Sequence, residues 1–163
     1  MKKELGYIEI FKKFNEERIK YIVCGGVAVN LLGIPRMTYD IDLLIKMEEK
    51  NLRKLLSLLK RLGFKPKAPV NIMELCCESK RKEWIRNKNM KAFNLYNTNW
   101  AISEIDILIE SPVSYKEAIK RALYKRVEGV RIPVISGPDL IKMKQNSPRK
   151  QDKADVRYLR KIL

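Results

Sequence analysis

The sequence predicts an α/β or α+β fold built on a small mixed β-sheet flanked by helices. Apolar residues recur at helical spacing in some segments and form short β-branched runs in others. The two kinds of segment interleave along the chain, and glycines and prolines punctuate the joins. The 163 residues, 45% of them hydrophobic, suit one domain with an ordinary buried core, taken as residues 1–163.

Leu5, Ile8, Phe11 and Phe14 share one helical face, which predicts an amphipathic helix over residues 4–18. Tyr21–Cys24 reads as a short strand that runs straight into Gly25-Gly26. A short helical segment follows to Leu32, stopped by Gly33 and Pro35. Asp40–Ile45 (DIDLLI) is a second strand. Residues 48–62 form a helix with Leu52, Leu55, Leu56 and Leu59 on one face, ended by Gly63, and Pro66 and Pro69 mark a loop. Residues 70–78 and 91–97 read as strands, with a basic stretch around Trp84 between them. Ser103–Ile109 is a further strand in which Ile105, Ile107 and Ile109 alternate with Asp106 and Leu108. Residues 114–121 read as helix, Arg126–Ile135 as a hairpin around Glu128-Gly129, and residues 139–144 and 152–162 as two closing helices.

Composition excludes several chemistries. There is no histidine, so a His-containing zinc site and any Ser-His or Cys-His catalytic machinery are ruled out. Acid, base and metal work must fall to Asp, Glu, Lys or Arg. The three cysteines have no CxxC spacing and read as buried, reduced thiols. The expected setting is the cytoplasm, since the start of the chain is charged and no apolar run is long enough to span a membrane. The net charge of +16 suits polyanionic partners, either nucleic acid or nucleotide phosphates.

Three features carry chemistry. Gly25-Gly26, at a strand-to-helix turn, lets backbone amides approach a phosphate closely. Asp40 and Asp42, at i and i+2 of a strand, point to one face and repel each other unless a cation sits between them. A hard divalent ion suits two such carboxylates. Asp106 is a lone acid in an alternating apolar strand and joins the pair if the two strands are neighbours; Glu104 shares its face and is its competitor.

The stretch GGVAVNLLGIPRMTYDID, residues 25–42, places thirteen residues between the second glycine and a D-x-D. It resembles the polymerase-beta-like nucleotidyltransferase superfamily. The Arg36-x-Thr38-x-Asp40-x-Asp42 run is similar to that of mini-nucleotidyltransferases and toxin–antitoxin nucleotidyltransferases. Asp139-Leu140-Ile141, Lys144 and Arg149-x-x-Asp152-x-x-Asp155 are similar to the two closing helices of the same group. Where many members have Gly-Ser, this chain has Gly-Gly.

The resemblance implies a nucleotidyltransferase fold and transfer of a nucleoside monophosphate from a nucleoside triphosphate, with release of pyrophosphate. It implies two magnesium ions, or manganese in their place, on Asp40, Asp42 and Asp106. Asp106 would also orient or deprotonate the acceptor hydroxyl. Gly25, Gly26, Arg36, Thr38 and Lys144 would contact the nucleotide. Asp152 and Asp155 are read as structural ties of the last helix, and Trp84 and Trp100 as packing residues. The positive charge ranks RNA, such as tRNA, or a partner protein first as acceptor, with a HEPN-type protein or a toxin–antitoxin partner implied. A small-molecule acceptor, as in enzymes of aminoglycoside or lincosamide resistance, ranks second. A non-catalytic binding module of the same fold ranks third.

Overall fold

A computed structural model describes residues 6–163. It contains α1 (Tyr7–Glu16), β1 (Tyr21–Cys24), α2 (Gly25–Leu31), β2 (Asp40–Ile45), α3 (Glu49–Arg61) and β3 (Lys65–Pro66). A 3-10 turn (Ile72–Cys76), α4 (Glu78–Lys88), β4 (Ala92–Tyr96), β5 (Glu104–Leu108) and α5 (Tyr115–Arg121) follow. The chain ends with β6 (Leu123–Val127), β7 (Val130–Val134), α6 (Gly137–Lys144) and α7 (Lys150–Ile162). Leu5, expected in the first helix, lies outside the described residues; Ile10, Phe11 and Phe14 form the buried face of α1.

The strands form one mixed sheet in the order β3-β4-β5-β2-β1-β7-β6. The β2–β5 and β1–β7 pairs are parallel and the rest antiparallel. As its composition suggests, β2 is the central strand. Ile41, Leu43, Leu44 and Ile45 are buried, while Asp40 and Asp42 stand at its N-terminal end, half-buried. Buried Asn51 on α3 fixes the opposite end of this strand pair. It accepts from the amide of Lys20 at 2.8 Å and donates to the carbonyls of Lys20 and Lys46 at 3.0 and 2.9 Å. A buried amide with all these bonds satisfied stabilises one register of β1 against β2.

The middle of the chain departs from expectation. Residues 70–78 are not a strand: Ile72 and Leu75 are buried three residues apart on a 3-10 turn, and the Asn71 side chain caps it by accepting from Met73 N at 2.8 Å. The basic stretch is helix α4. Its one buried side chain, Trp84, stacks on Phe93 of β4 at 5.5 Å between ring centroids, as its packing assignment requires. Pro66 belongs to the two-residue edge strand β3, not to a loop. The β6–β7 hairpin starts earlier than expected and turns on Glu128 and Gly129, both with positive φ (50° and 79°), the geometry of a tight two-residue turn. Of the cysteines only Cys24 is buried; Cys76 is half-buried and Cys77 exposed, because Cys77 sits at the N-cap of the solvated helix α4.

Candidate active site

The turn from β1 into α2 is set by two glycines with different constraints. Gly25 has φ +62°, and a Cβ there would stand 1.9 Å from Asp42 Oδ2. Any side chain would therefore have both an unfavourable backbone and a carboxylate in its way. At Gly26 a Cβ would meet Thr38 Oγ1 at 2.8 Å and Arg36 Cζ at 3.1 Å. Thr38 and Arg36 thus fill the space that a serine at this position would need. A side chain at Gly26 would therefore collide with both, which accounts for Gly-Gly in this chain.

The register of the sheet gathers the acids. Asp42 is paired with Asp106 across the parallel β2–β5 ladder, and Asp40 with Glu104. On the far side of β5, Asn94 of β4 stands opposite Asp106 and donates to its Oδ1 at 2.6 Å. Glu104, the competitor read from sequence, is engaged by Lys67 at 2.6 Å. Burial pushes the Asp42 carboxyl up to about 6, and repulsion from Asp106 adds to it, while Lys144 opposes. Burial also raises Asp40, reinforced by Glu104 and Asp106. Asp106 is raised by burial and held back by the Asn94 hydrogen bond. Burial chiefly, and neighbouring carboxylates in addition, disfavour the charged form of all three, so a cation among them would be welcome.

Lys144 and Arg36 are joined behind this row. Arg36 Nη1 lies 2.5 Å from Asp155 Oδ2, and Lys144 Nζ lies 3.0 Å from the same oxygen and 2.8 Å from Asp152 Oδ1. Asp155 is also bonded by Gln151 (3.1 Å) and Asp152 by Ser147 (2.7 Å). Asp152 and Asp155 are structural ties, as expected. The ties run to Arg36 and Lys144, with Arg149 only at 4.0 Å from Asp152. Sequence reasoning missed this bracing, the Asn94–Asp106 hydrogen bond and the position of Arg149 beside the turn.

Between these groups lies a cleft of about 170 Å³ lined by Gly25, Asp42, Leu108, Met143, Lys144 and Arg149 among others. A wider cleft of about 390 Å³, between Tyr21, Tyr115, Tyr124 and Arg131, has no carboxylate in its wall. Among the described residues, no three acidic or cysteine side chains close around one point as a finished metal cage. Magnesium asks for less, typically one or two protein carboxylates with water and phosphate oxygens completing its shell.

A glycine turn above a D-x-D on the central strand, with a third Asp from the neighbouring parallel strand, defines a nucleotidyltransferase of the polymerase-beta-like superfamily. The chain belongs to the aminoglycoside-2''-adenylyltransferase family, whose model matches residues 7–159. Its fold is that of the lincosamide antibiotic adenylyltransferase LnuA, in a lincomycin-bound crystal structure, with TM-score 0.64, 16% identity and 96% of each chain covered. It is also that of ANT(2'')-Ia in complex with adenylyl-2''-tobramycin (TM-score 0.62, 14% identity, 94% of this chain and 84% of that one). A putative nucleotidyltransferase from Thermotoga maritima is similar at TM-score 0.53 and 16% identity, with 94% of this chain and 88% of that one covered. No curated protein sequence matches it. No helix among the described residues is long and apolar enough to cross a membrane.

Proposed function

We propose that the protein transfers a nucleoside monophosphate from an NTP to a hydroxyl group of a small, antibiotic-type acceptor. The observation that carries this reading is the family match over residues 7–159. Local charge agrees with it. The chain is +16 overall, yet the surface beside the turn presents Asp40, Asp42, Glu104 and Asp106 in two adjacent rows. A cationic acceptor meets carboxylates there, whatever the charge elsewhere. The sequence alone ranks an RNA or protein acceptor above a small molecule; the family match reverses that order, and the comparisons offer no support for a toxin–antitoxin partner.

Asp40, Asp42 and Asp106 are the residues that would hold the divalent ions, magnesium or manganese. Their hard oxygen donors, crowded enough to disfavour each other's charge, fit that role. Bound there, such ions neutralise the triphosphate and acidify the acceptor hydroxyl. The chain's own groups do the rest. The backbone at Gly25, on the wall of the cleft, is placed to meet phosphate oxygens, with Gly26 buried behind it beneath Thr38 and Arg36. Lys144 lines the cleft, and Thr38 and Arg36 pack against the turn at Gly26 beside it. Lys144 spends two of its three donors on Asp152 and Asp155 and keeps one, and Arg36 keeps its Nη2. Asp106, oriented by Asn94, accepts the proton of the acceptor hydroxyl. The hydroxyl oxygen forms a bond to the α-phosphorus, the α–β bridging bond breaks, and pyrophosphate leaves with its electron pair.

The test is mass spectrometry of an aminoglycoside and a lincosamide after incubation with each NTP and magnesium. A product heavier by one nucleoside monophosphate is expected with at least one acceptor. Modification of neither, by protein shown to bind magnesium-nucleotide, would overturn the small-molecule reading.

A further inference from the structure

We propose that Arg149 binds the triphosphate, acting as the cation that engages the β- and γ-phosphates when a nucleotide enters the cleft beside Gly25 and Asp42. The inference rests on the nucleotidyltransferase reading above.

The two cations that the sequence offers for this task, Arg36 and Lys144, are already matched. Together with Asp152 and Asp155 they form a closed group of two positive and two negative charges, a net of zero. The Lys144 side chain is only 10% exposed and Asp155 only 2%, so this group is a braced wall with little freedom to follow a ligand. Arg149 differs on each count. It lines the same cleft, its side chain is 73% exposed, and among the described residues its one carboxylate partner, Asp152, is 4.0 Å away. Asp152 is itself satisfied by Lys144 and Ser147.

A triphosphate brings charge that a neutral wall cannot balance. A guanidinium on a long, uncommitted side chain can fork onto two phosphate oxygens without breaking a buried ion pair. Arg36 and Lys144 each have a donor to spare, but both are pinned to Asp155, and neither can move out to follow the outer phosphates without leaving a buried carboxylate short of partners. The geometry divides the labour: Lys144 and Arg36 shape the wall, and Arg149 closes on the outer phosphates.

Binding of the non-hydrolysable α,β-methylene analogue of ATP, with magnesium, and of AMP is measured by calorimetry on the whole chain. The proteins are wild type, Arg149→Ala and Arg149→Lys. Loss of one charge-assisted contact predicts a fall of about ten- to hundredfold in analogue affinity for Arg149→Ala. AMP, which lacks the outer phosphates, should bind both proteins alike, and Arg149→Lys should recover part of the loss. Arg149→Ala binding the analogue within about threefold of wild type overturns the inference. So does an equal loss of AMP affinity, which marks a general distortion of the cleft. Wild type that binds neither nucleotide sinks the nucleotidyltransferase reading itself; wild type that binds and transfers, with Arg149→Ala unchanged, sinks only the role of Arg149.

Discussion

Asp42 on β2 and Asp106 on β5 stand directly opposite each other across a parallel strand pair, with burial acting against both charges and repulsion from Asp106 adding to it at Asp42. This pairing makes the metal-free protein sensitive to pH in a definite direction. Asp42 has its folded-state pKa raised from the usual 3.8 to about 6. Its protonated form therefore favours the fold below pH 4, and that favourable contribution is lost as pH rises through 6. Asp42→Asn, which cannot ionise, should match wild type near pH 4. Above pH 7, with chelator present, it should be the more stable by up to about 3 kcal/mol, at about 1.4 kcal/mol per pH unit. Urea unfolding of both proteins from pH 4 to 8 measures the difference; a gap that stays constant with pH contradicts the account.

Gly25→Ala should be strongly destabilising. The left-handed backbone alone costs about 1–2 kcal/mol for a side-chain-bearing residue, and the contact with the Asp42 carboxylate adds to it. The same substitution in an Asp42→Ala background should cost less, because the obstructing carboxylate is gone. Thermal melts of the four proteins give the coupling, and additive effects would show that the two residues do not touch.

Asp155→Asn removes the charge that Arg36 and Lys144 share. Breaking a buried ion network in this way costs about 3–5 kcal/mol, which lowers the melting temperature by roughly ten degrees in a chain of this size. The Michaelis constant for the NTP should rise at the same time, since Lys144 lines the cleft and loses its anchor. An unchanged melting temperature would mean that the network contributes nothing.

Asn94→Ala leaves Asp106 without the donor that orients it. The turnover number should fall by about tenfold or more, the order expected for a lost hydrogen bond to a charged group, with the NTP Michaelis constant little changed. Equal turnover in the variant would mean that Asp106 is held without Asn94.

Much of this was legible in the sequence because the signals are local. Two acids two residues apart in an otherwise apolar run must share a face of a central strand, and a strand ending in Gly-Gly must turn tightly there. The alternation around Asp106 likewise gives its face. What local pattern lacks is register. Phe93 and Leu95 imply that Asn94 points to the opposite face, but only the β4–β5 pairing puts it against Asp106. Residues 70–78 misled because the apolar residues Ile72 and Leu75 read equally well in a strand and in a turn of helix. The place of Arg149 is decided by α6 and α7 packing beside the β1 turn, which no local pattern shows. Net charge misled in a different way, since a total of +16 says nothing about which side chains surround the acids.

The central claim is metal-dependent transfer of a nucleoside monophosphate to a small acceptor. The most direct test offers α-labelled ATP, magnesium, an aminoglycoside, a lincosamide and total tRNA in one reaction, with wild type and Asp42→Asn run side by side. The account predicts label on a small molecule with wild type, and none with the variant or after chelation of the metal. Label that goes to tRNA instead, or that persists undiminished in Asp42→Asn, would contradict it.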